Sequence, residues 1–429
     1  MEKRLGFFFV VLLVVSFSLF ASGTNEAKAT QEEITVVIGT SGNANTIQAH
    51  LSEFQEKTGI KVNLESYAAA DVKNKVNING AAGGTEIDVF AFQPTTDTRA
   101  YYSNGYFAPL NDYIAASKDY AYEDFFPSSR LSTSVDDVIV GIPYMVEGEI
   151  MWYNKEILEK YGVSVPTTFA EMLEVAKKVY DPQNNVYAYT LRGQGNNAVG
   201  AITGFLYGFG ADFYNEDMTV ATINTPEALA AIEFYADLCA FGPPGMQNIK
   251  HSDGINWFNN GLTAFRIDSY AQSFNHNDPE KSSIAEHLGY AMFPMGEIGT
   301  YTPYNTVGWA YAISATSKHK DAAWKFIEWA SSYDMEVKSM IAGGFSARSS
   351  VWEDSQVAEV VDPELMSVVK QTGAYGYPYS LPRNMNAVGV RALVGELIDA
   401  AQTGLRGAEL KAVADEINAK IQAILDSEK

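Results

Sequence analysis

The sequence predicts an α/β protein of two lobes joined by several crossings, and three observations carry that prediction. A chain of 429 residues is too long for one hydrophobic core and divides naturally into two. Strands and helices alternate from residue 34 onward, the pattern of a parallel sheet with helices on its faces. The third observation is a strand–helix unit far along the chain, from Gly308 to Ser331. There Trp309 to Ile313 is an apolar run of strand length, and a polar turn follows with Ser317 as candidate N-cap. Ala323, Phe326, Ile327 and Ala330 then fall at i, i+3, i+4 and i+7, one face of a helix. The sheet this unit joins is laid down before residue 145, so the chain has to return to an earlier lobe.

The first residues read as a leader. Lys3 and Arg4 precede an apolar run from Phe7 that continues to Phe20, and small residues follow at Ala21, Ser22 and Gly23. That order is expected of a cleaved signal peptide over 1–23, with a single-pass anchor as the competing reading. No Cys follows the small residues, so no lipid anchor is expected.

Ile34 to Ile38 is the first strand, and a polar loop leads to a helix ending at Thr58-Gly59. Ile60 to Leu64 is the second strand, 70–80 a helix and Ile87 to Phe92 the third strand. Ligands of such sheets bind in loops beyond the strands' carboxyl ends. That singles out Ser41, Asn43 and Gln93, each of which also suits an ordinary turn. Further on, Pro226 after Thr225 marks a helix start, and 387–401 and 407–425 are the last long helices.

Composition excludes several classes. A net charge of −22 makes the chain a poor partner for nucleic acid or an anionic membrane. The single cysteine, Cys239, excludes an intrachain disulfide, and its helical face with Ala231, Ile232 and Tyr235 marks it as a buried apolar residue. Five scattered histidines without metal-ligand spacing argue against a metal site. The Gly193-x-Gly195-x-x-Ala198 run lacks the second strand and acidic residue that a dinucleotide site requires. Glu147 and Glu149 share a strand face, but a glycosidase pair needs a fixed separation across a substrate. The 25 tyrosines suit a site that grips an amphipathic ligand, and Trp309, beside Gly308, is the best candidate for an aromatic wall.

Several segments carry a resemblance. The run Gly308–Ser331, Gly141-Ile142-Pro143-Tyr144, Gly242-Pro243-Pro244-Gly245 and Asp278-Pro279-Glu280-Lys281-Ser282 resemble the extracellular solute-binding proteins of ABC sugar and polyol importers. Their sorbitol/mannitol-type branch is the most similar. The resemblance implies a two-lobe periplasmic-binding-protein fold with several hinge crossings, near 141–146, 296–305 and 345–349. It implies one lobe of 33–142 plus 303–345 and another of 146–298 plus 350–429. Val146-Glu147 followed by 150–155 is similar to a maltose-binding segment whose glutamate binds ligand, which assigns Glu147 to sugar hydroxyls. The resemblance also turns Arg192 toward the cleft, although a surface ion pair is its plain alternative. It makes Asp268 a hydroxyl acceptor and Tyr270 a stacking aromatic, with core or hinge packing as the alternative for Tyr270. Arg348, after Gly343-Gly344-Phe345-Ser346-Ala347, stands at the third crossing as hinge, cleft or both, and Trp257 is read as packing.

The expected function is binding of a sugar or polyol between the lobes and delivery to ABC permease subunits. The expected protein is an exported periplasmic monomer with no cofactor and no reaction. An exported carbohydrate-active enzyme and a sensor coupled to a membrane receptor are the other classes. The sensor would share every ligand residue.

Overall fold

The computed structural model describes residues 32–428, so the leader lies outside the described residues. The chain opens with β1 (Glu33–Gly39), α1 (Gly42–Thr58), β2 (Lys61–Tyr67), α2 (Ala69–Ala81) and β3 (Val89–Phe92). These three strands pair in parallel, Val36 facing both Leu64 and Val89. Ile34, Val36, Val37 and Ile38 are all buried, because helices cover both faces of this half-sheet. Helix α1 starts where Ser41 Oγ accepts the Ala44 N–H and stops at Gly59, whose φ of 72° closes the last turn.

Helices α3 (Pro94–Ser103), α4 (Asn111–Ala116) and α5 (Pro127–Ser132) and the short ribbon β4–β5 (Ser134–Val135, Val138–Ile139) follow. Strand β6 (Ile142–Asn154) then runs 13 residues and belongs to both halves of the molecule. After it come α6 (Lys155–Tyr161), α7 (Phe169–Val179), β7 (Tyr187–Thr190), α8 (Gly195–Gly208), α9 (Pro226–Cys239) and α10 (His251–Asn259). Next are β8 (Thr263–Ser269), α11 (Ser273–His276), β9 (Leu288–Met292) and β10 (Asn305–Ile313). The chain ends in α12 (Lys320–Ala330), α13 (Tyr333–Ile341), α14 (Pro363–Tyr375), α15 (Ala387–Gln402) and α16 (Gly407–Ser427).

The strand order β2-β1-β3-β10-β6-β8-β7, with β9 also on β6, describes one sheet shared by two lobes. The returning strand β10 does join the early sheet, inserted between β3 and β6. It is antiparallel to both, so the sheet is mixed and the parallel expectation holds for β1, β2 and β3 and for the β7–β8 pair. The amino-terminal part of β6 pairs with β10 as far as Gly148, and from Glu149 its partners are β8 and β9. Its other correction is small. Ser317 does not cap α12, which begins at Lys320; its hydroxyl donates to Asp88 at 2.6 Å.

Two apolar cores flank this sheet. One gathers the faces of β1, β3 and β10 and continues under Ile150, Trp152 and Phe258 to α14. The other packs Met151, Phe265 and Ile267 beneath α7, α8, α9, α15 and α16. Successive residues of β6, Ile150 and Met151, therefore point into different cores, as strand alternation requires.

Candidate functional site

The carboxyl ends of β1, β3, β7 and β8 face one another across the switch point of β6. From the first lobe, Ser41 and Gln93 are half-buried at the amino ends of α1 and α3, and the Gln93 side chain makes no cap bond. Trp309 enters from β10 where the register with β6 slips around Gly308. That bulge brings Glu147 against Gly308, and the indole lies flush on the backbone of Gly39. Thr306, the register partner of Glu147, shares a 2.6 Å hydrogen bond with Thr95.

The second lobe contributes a charged fork. Arg192, just past β7, grips Asp268 of β8 through Nε at 3.0 Å and through Nη2. Asp268 is fully buried and accepts further bonds from Arg266 Nη2 at 2.6 Å, the Ser269 N–H at 2.8 Å and His251 Nδ1 at 3.0 Å. Burial alone would raise its pKa, but Arg192 and Arg266 together hold it well below the usual carboxylate range. Arg192 Nη1 has no partner among the described residues and lies beside Gly200. The fork thus fixes Arg192 and leaves one donor for a ligand.

Between these groups stands Glu147, half-buried on β6. Burial pushes its carboxyl up; Arg192 pulls it back, Asp268 adds to the rise, and Ser269 and His251 offset it. Glu149, two residues on, is fully buried, and its oxygens find no well-formed hydrogen bond among the described residues. Burial and then the Asp268 charge keep it well above the usual range, against the Tyr304 backbone and Arg192. Glu149 is a buried strut of the hinge.

The structure thus gathers Glu147, Arg192 and Trp309, with Ser41 and Gln93 on the rim. Asp268, expected to accept ligand hydroxyls, is instead fully buried under Arg192 and Arg266 and positions Arg192. Three further expected residues take other positions. Asn43 is buried and its amide donates to the carbonyls of Tyr144 and Phe345, 3.3 Å each, tying two crossings together. Tyr270 is fully buried against Phe345 and Trp352, with its hydroxyl 3.3 Å from Asn305, which is the hinge-packing alternative. Arg348 is the clearest correction. Its three nitrogens donate to Ser331, Ala121, Asp124 and Tyr120, and its plane covers the Phe125 ring, so it staples the first lobe. The reason is length: Arg reaches back into its own lobe and bonds all three nitrogens there.

None of the residues the sequence singled out lines the interlobe cavity of about 380 Å³, whose walls include Thr95, Arg99, Glu216, Tyr379 and Arg383; the cavity adjoins those residues through the Thr95–Thr306 hydrogen bond. Tyr379 and Arg383 come from the loop before α15, where Arg383 is held by Asp212 at 2.9 Å and stacks on Tyr379. That loop is fastened to the hinge: Tyr377 bonds the backbone on either side of Tyr304 and stacks on Tyr207 at 4.3 Å. The alternate tyrosines 375, 377 and 379, interrupted by Gly376 and Pro378, were the available signal.

A mixed α/β sheet with one strand shared by two lobes, and a polar cleft at its switch point, defines a ligand-binding protein of the hinged two-lobe kind. The chain belongs to the bacterial extracellular solute-binding protein family, whose pattern matches residues 40–336. It is 28% identical over 328 residues to the mannitol-binding protein of Pseudomonas aeruginosa, covering 70% of this chain and 72% of that one. It is 27% identical to the erythritol/L-threitol-binding protein of Mycolicibacterium smegmatis, covering 71% and 68%. Its fold is similar to that of an ABC transporter solute-binding protein of Agrobacterium radiobacter K84 in complex with ribitol. There the TM-score is 0.74 and the identity 22%, over 92% of this chain and 98% of the other. No helix among the described residues is long and apolar enough to cross a membrane.

Proposed function

We propose that the protein binds a sugar or polyol in the interlobe cleft, unchanged chemically, and presents it to the permease of an ABC importer outside the cytoplasm. The observation that carries this reading is the pairing of Arg192, clamped by Asp268, with Glu147 on the shared strand. One supplies a fixed donor and the other an acceptor, so a hydroxyl that donates and accepts is matched from two sides. Trp309 supplies an apolar wall for C–H groups. Each hydroxyl buried without a partner would cost about 1–3 kcal/mol, so selectivity follows from the placement of these few groups. Closing the lobes removes water and strengthens every one of these bonds. The polyol-binding relatives support the ligand class, and the family supports the export and permease roles.

Calorimetry with D-mannitol, ribitol, erythritol and maltose tests the reading, followed by mass spectrometry of the recovered ligand. One-to-one binding with the ligand returned intact is expected. Turnover, or no heat with any of the four, would overturn it.

A further inference from the structure

Behind the fork, on the outer side of the second lobe, lies a groove of about 480 Å³ between α10 and the segment 245–250. It is a shallow trough open to solvent, shaped for one face of a ligand rather than for enclosing it. Asn248, Asn256 and Asn260 line it with carboxamides, Ile249 lies at its base, and Asp253 is its single charge. The Asn248 and Asn256 amides and the Trp257 indole N–H have no partner among the described residues. Trp257 is half-buried, its edge set against Tyr187 at 5.7 Å, which holds the indole in place beside the groove. Fixed ring, neutral amides and little charge suit a neutral polyhydroxylated ligand with one apolar face. Amides pair hydroxyls in both directions, and the indole covers ring C–H groups.

The two walls of this groove also hold the cleft residues. Ile249 O accepts the N–H groups of Gly193 at 2.9 Å and Gln194 at 3.0 Å, directly after Arg192. Helix α10 turns Asp253, Asn256, Trp257 and Asn260 to the groove, while its first residue, His251, bonds Asp268 at 3.0 Å. Any ligand that draws α10 and 245–250 together therefore acts on both ends of the Arg192–Asp268 fork.

We propose that this groove is a second carbohydrate site, taking a pyranose ring on Trp257, and that its occupancy is coupled to affinity in the cleft. Coupling of this kind is reciprocal: cleft ligand changes groove affinity by the same factor. The site is separate from the interlobe one and stands whether or not the cleft ligand is a sugar.

The test is fluorine NMR of the purified protein with its six tryptophans replaced by 5-fluorotryptophan, the Trp257 signal being assigned with Trp257→Phe. Maltose is titrated into the wild type and into Glu147→Ala, in which the cleft is impaired, with acyclic D-mannitol as comparison. Maltose should move the Trp257 signal in both proteins, with half-saturation on the order of 1 mM. Asn256→Ala should weaken that response by about tenfold, and D-mannitol should leave the signal in place in Glu147→Ala. A Trp257 signal that maltose leaves unmoved would overturn the proposal. So would a shift that vanishes in Glu147→Ala, because the signal would then only echo the cleft. The Trp309 signal reports the cleft in the same spectra and keeps its failure separate.

Discussion

Arg192 and Asp268 meet edge to edge, with Nε donating to Oδ2 at 3.0 Å and Nη2 to Oδ1, at the carboxyl ends of two adjacent strands of the second lobe. The carboxylate has no accessible surface to offer a ligand. It acts through the guanidinium that it aims.

Asp268→Asn should therefore damage the fold as well as the site. It leaves Arg266, fully buried, and Arg192 without their shared counter-charge, a loss of about 3–5 kcal/mol for a broken buried pair. The depressed pKa gives the sign of the pH dependence. Asp268 contributes stability above the ordinary carboxylate range, and that contribution is lost as pH falls toward its folded value. The gap between wild type and variant in urea melts should then narrow below about pH 4. A variant as stable as the wild type at neutral pH would remove Asp268 from the role of anchor.

Gly39 and Trp309 give the opposite pattern. A Cβ on residue 39 would lie 2.7 Å from Cζ2 and 3.0 Å from Cη2 of the indole, at the buried carboxyl end of β1. In Gly39→Ala the ring must swing away, so affinity for several related sugars or polyols should fall together. The expected loss is about 1 kcal/mol, roughly fivefold. Calorimetry across the ligand series reads it, and a loss confined to one ligand would mean the ring is not a wall.

Glu336 on α13 makes the first lobe sensitive to pH. It is buried beside the third crossing, and burial pushes its carboxyl up to about 8, against pulls from Ser346, Arg348 and the Ala347 N–H. The unfolded group ionises near the ordinary value of about 4.3, so the folded state binds more protons across the interval between. Stability contributed by this group falls as pH rises through that interval and is fully lost above about 8. Glu336→Gln keeps an oxygen for Ser346 and removes the titration. Its melting temperature should exceed the wild type's increasingly from about pH 6 to 8, while buried Glu149 affects both proteins alike. Parallel melting curves would exclude the effect.

Much of the fold was legible because its signals are local. The β10–α12 unit announced itself by an apolar run and a 3.6-residue period, and the cap at Thr225 and the turn at Gly59 by residue type. Direction was not legible: nothing inside Trp309–Ile313 says that it pairs antiparallel to both neighbours. The site divides in the same way. Glu147, Arg192 and Trp309 lie in or just past strands that the sequence marks, whereas Asp268's burial depends on Arg266 and His251 arriving from β8 itself and from α10. Arg348 and Tyr270 were misleading because a long side chain beside a crossing can turn inward as easily as outward. Tyr379 and Arg383 belong to a loop without periodicity, fixed only by contacts to Tyr207, Asp212 and the hinge.

The hinge itself is the last test. Gly148 is the final residue of β6 paired to β10, opposite Asn305, and Glu149 is the first paired to β8, opposite Ser269. A Cβ at 148 would meet Tyr270 Cε1 at 2.5 Å, Asn305 Oδ1 at 2.7 Å and Thr372 Cγ2 at 2.7 Å. Those contacts come from three different segments, and the Tyr270 hydroxyl is itself bonded to Asn305 at 3.3 Å. Rotation of one lobe on the other has to pass through this knot, where strand pairing changes partner and no side chain intervenes. Gly148→Ala should cost about 1–3 kcal/mol by overpacking and bias the lobes toward one arrangement. Wild-type protein is expected to contract on binding ligand, seen as a smaller radius of gyration in solution scattering. In Gly148→Ala the difference between free and bound radii should shrink, and affinity should change even though residue 148 offers a ligand no side chain. A variant that contracts as the wild type does would place the pivot elsewhere, at the 296–305 or 345–349 crossing. An unchanged wild-type radius would mean that the cleft binds without closing.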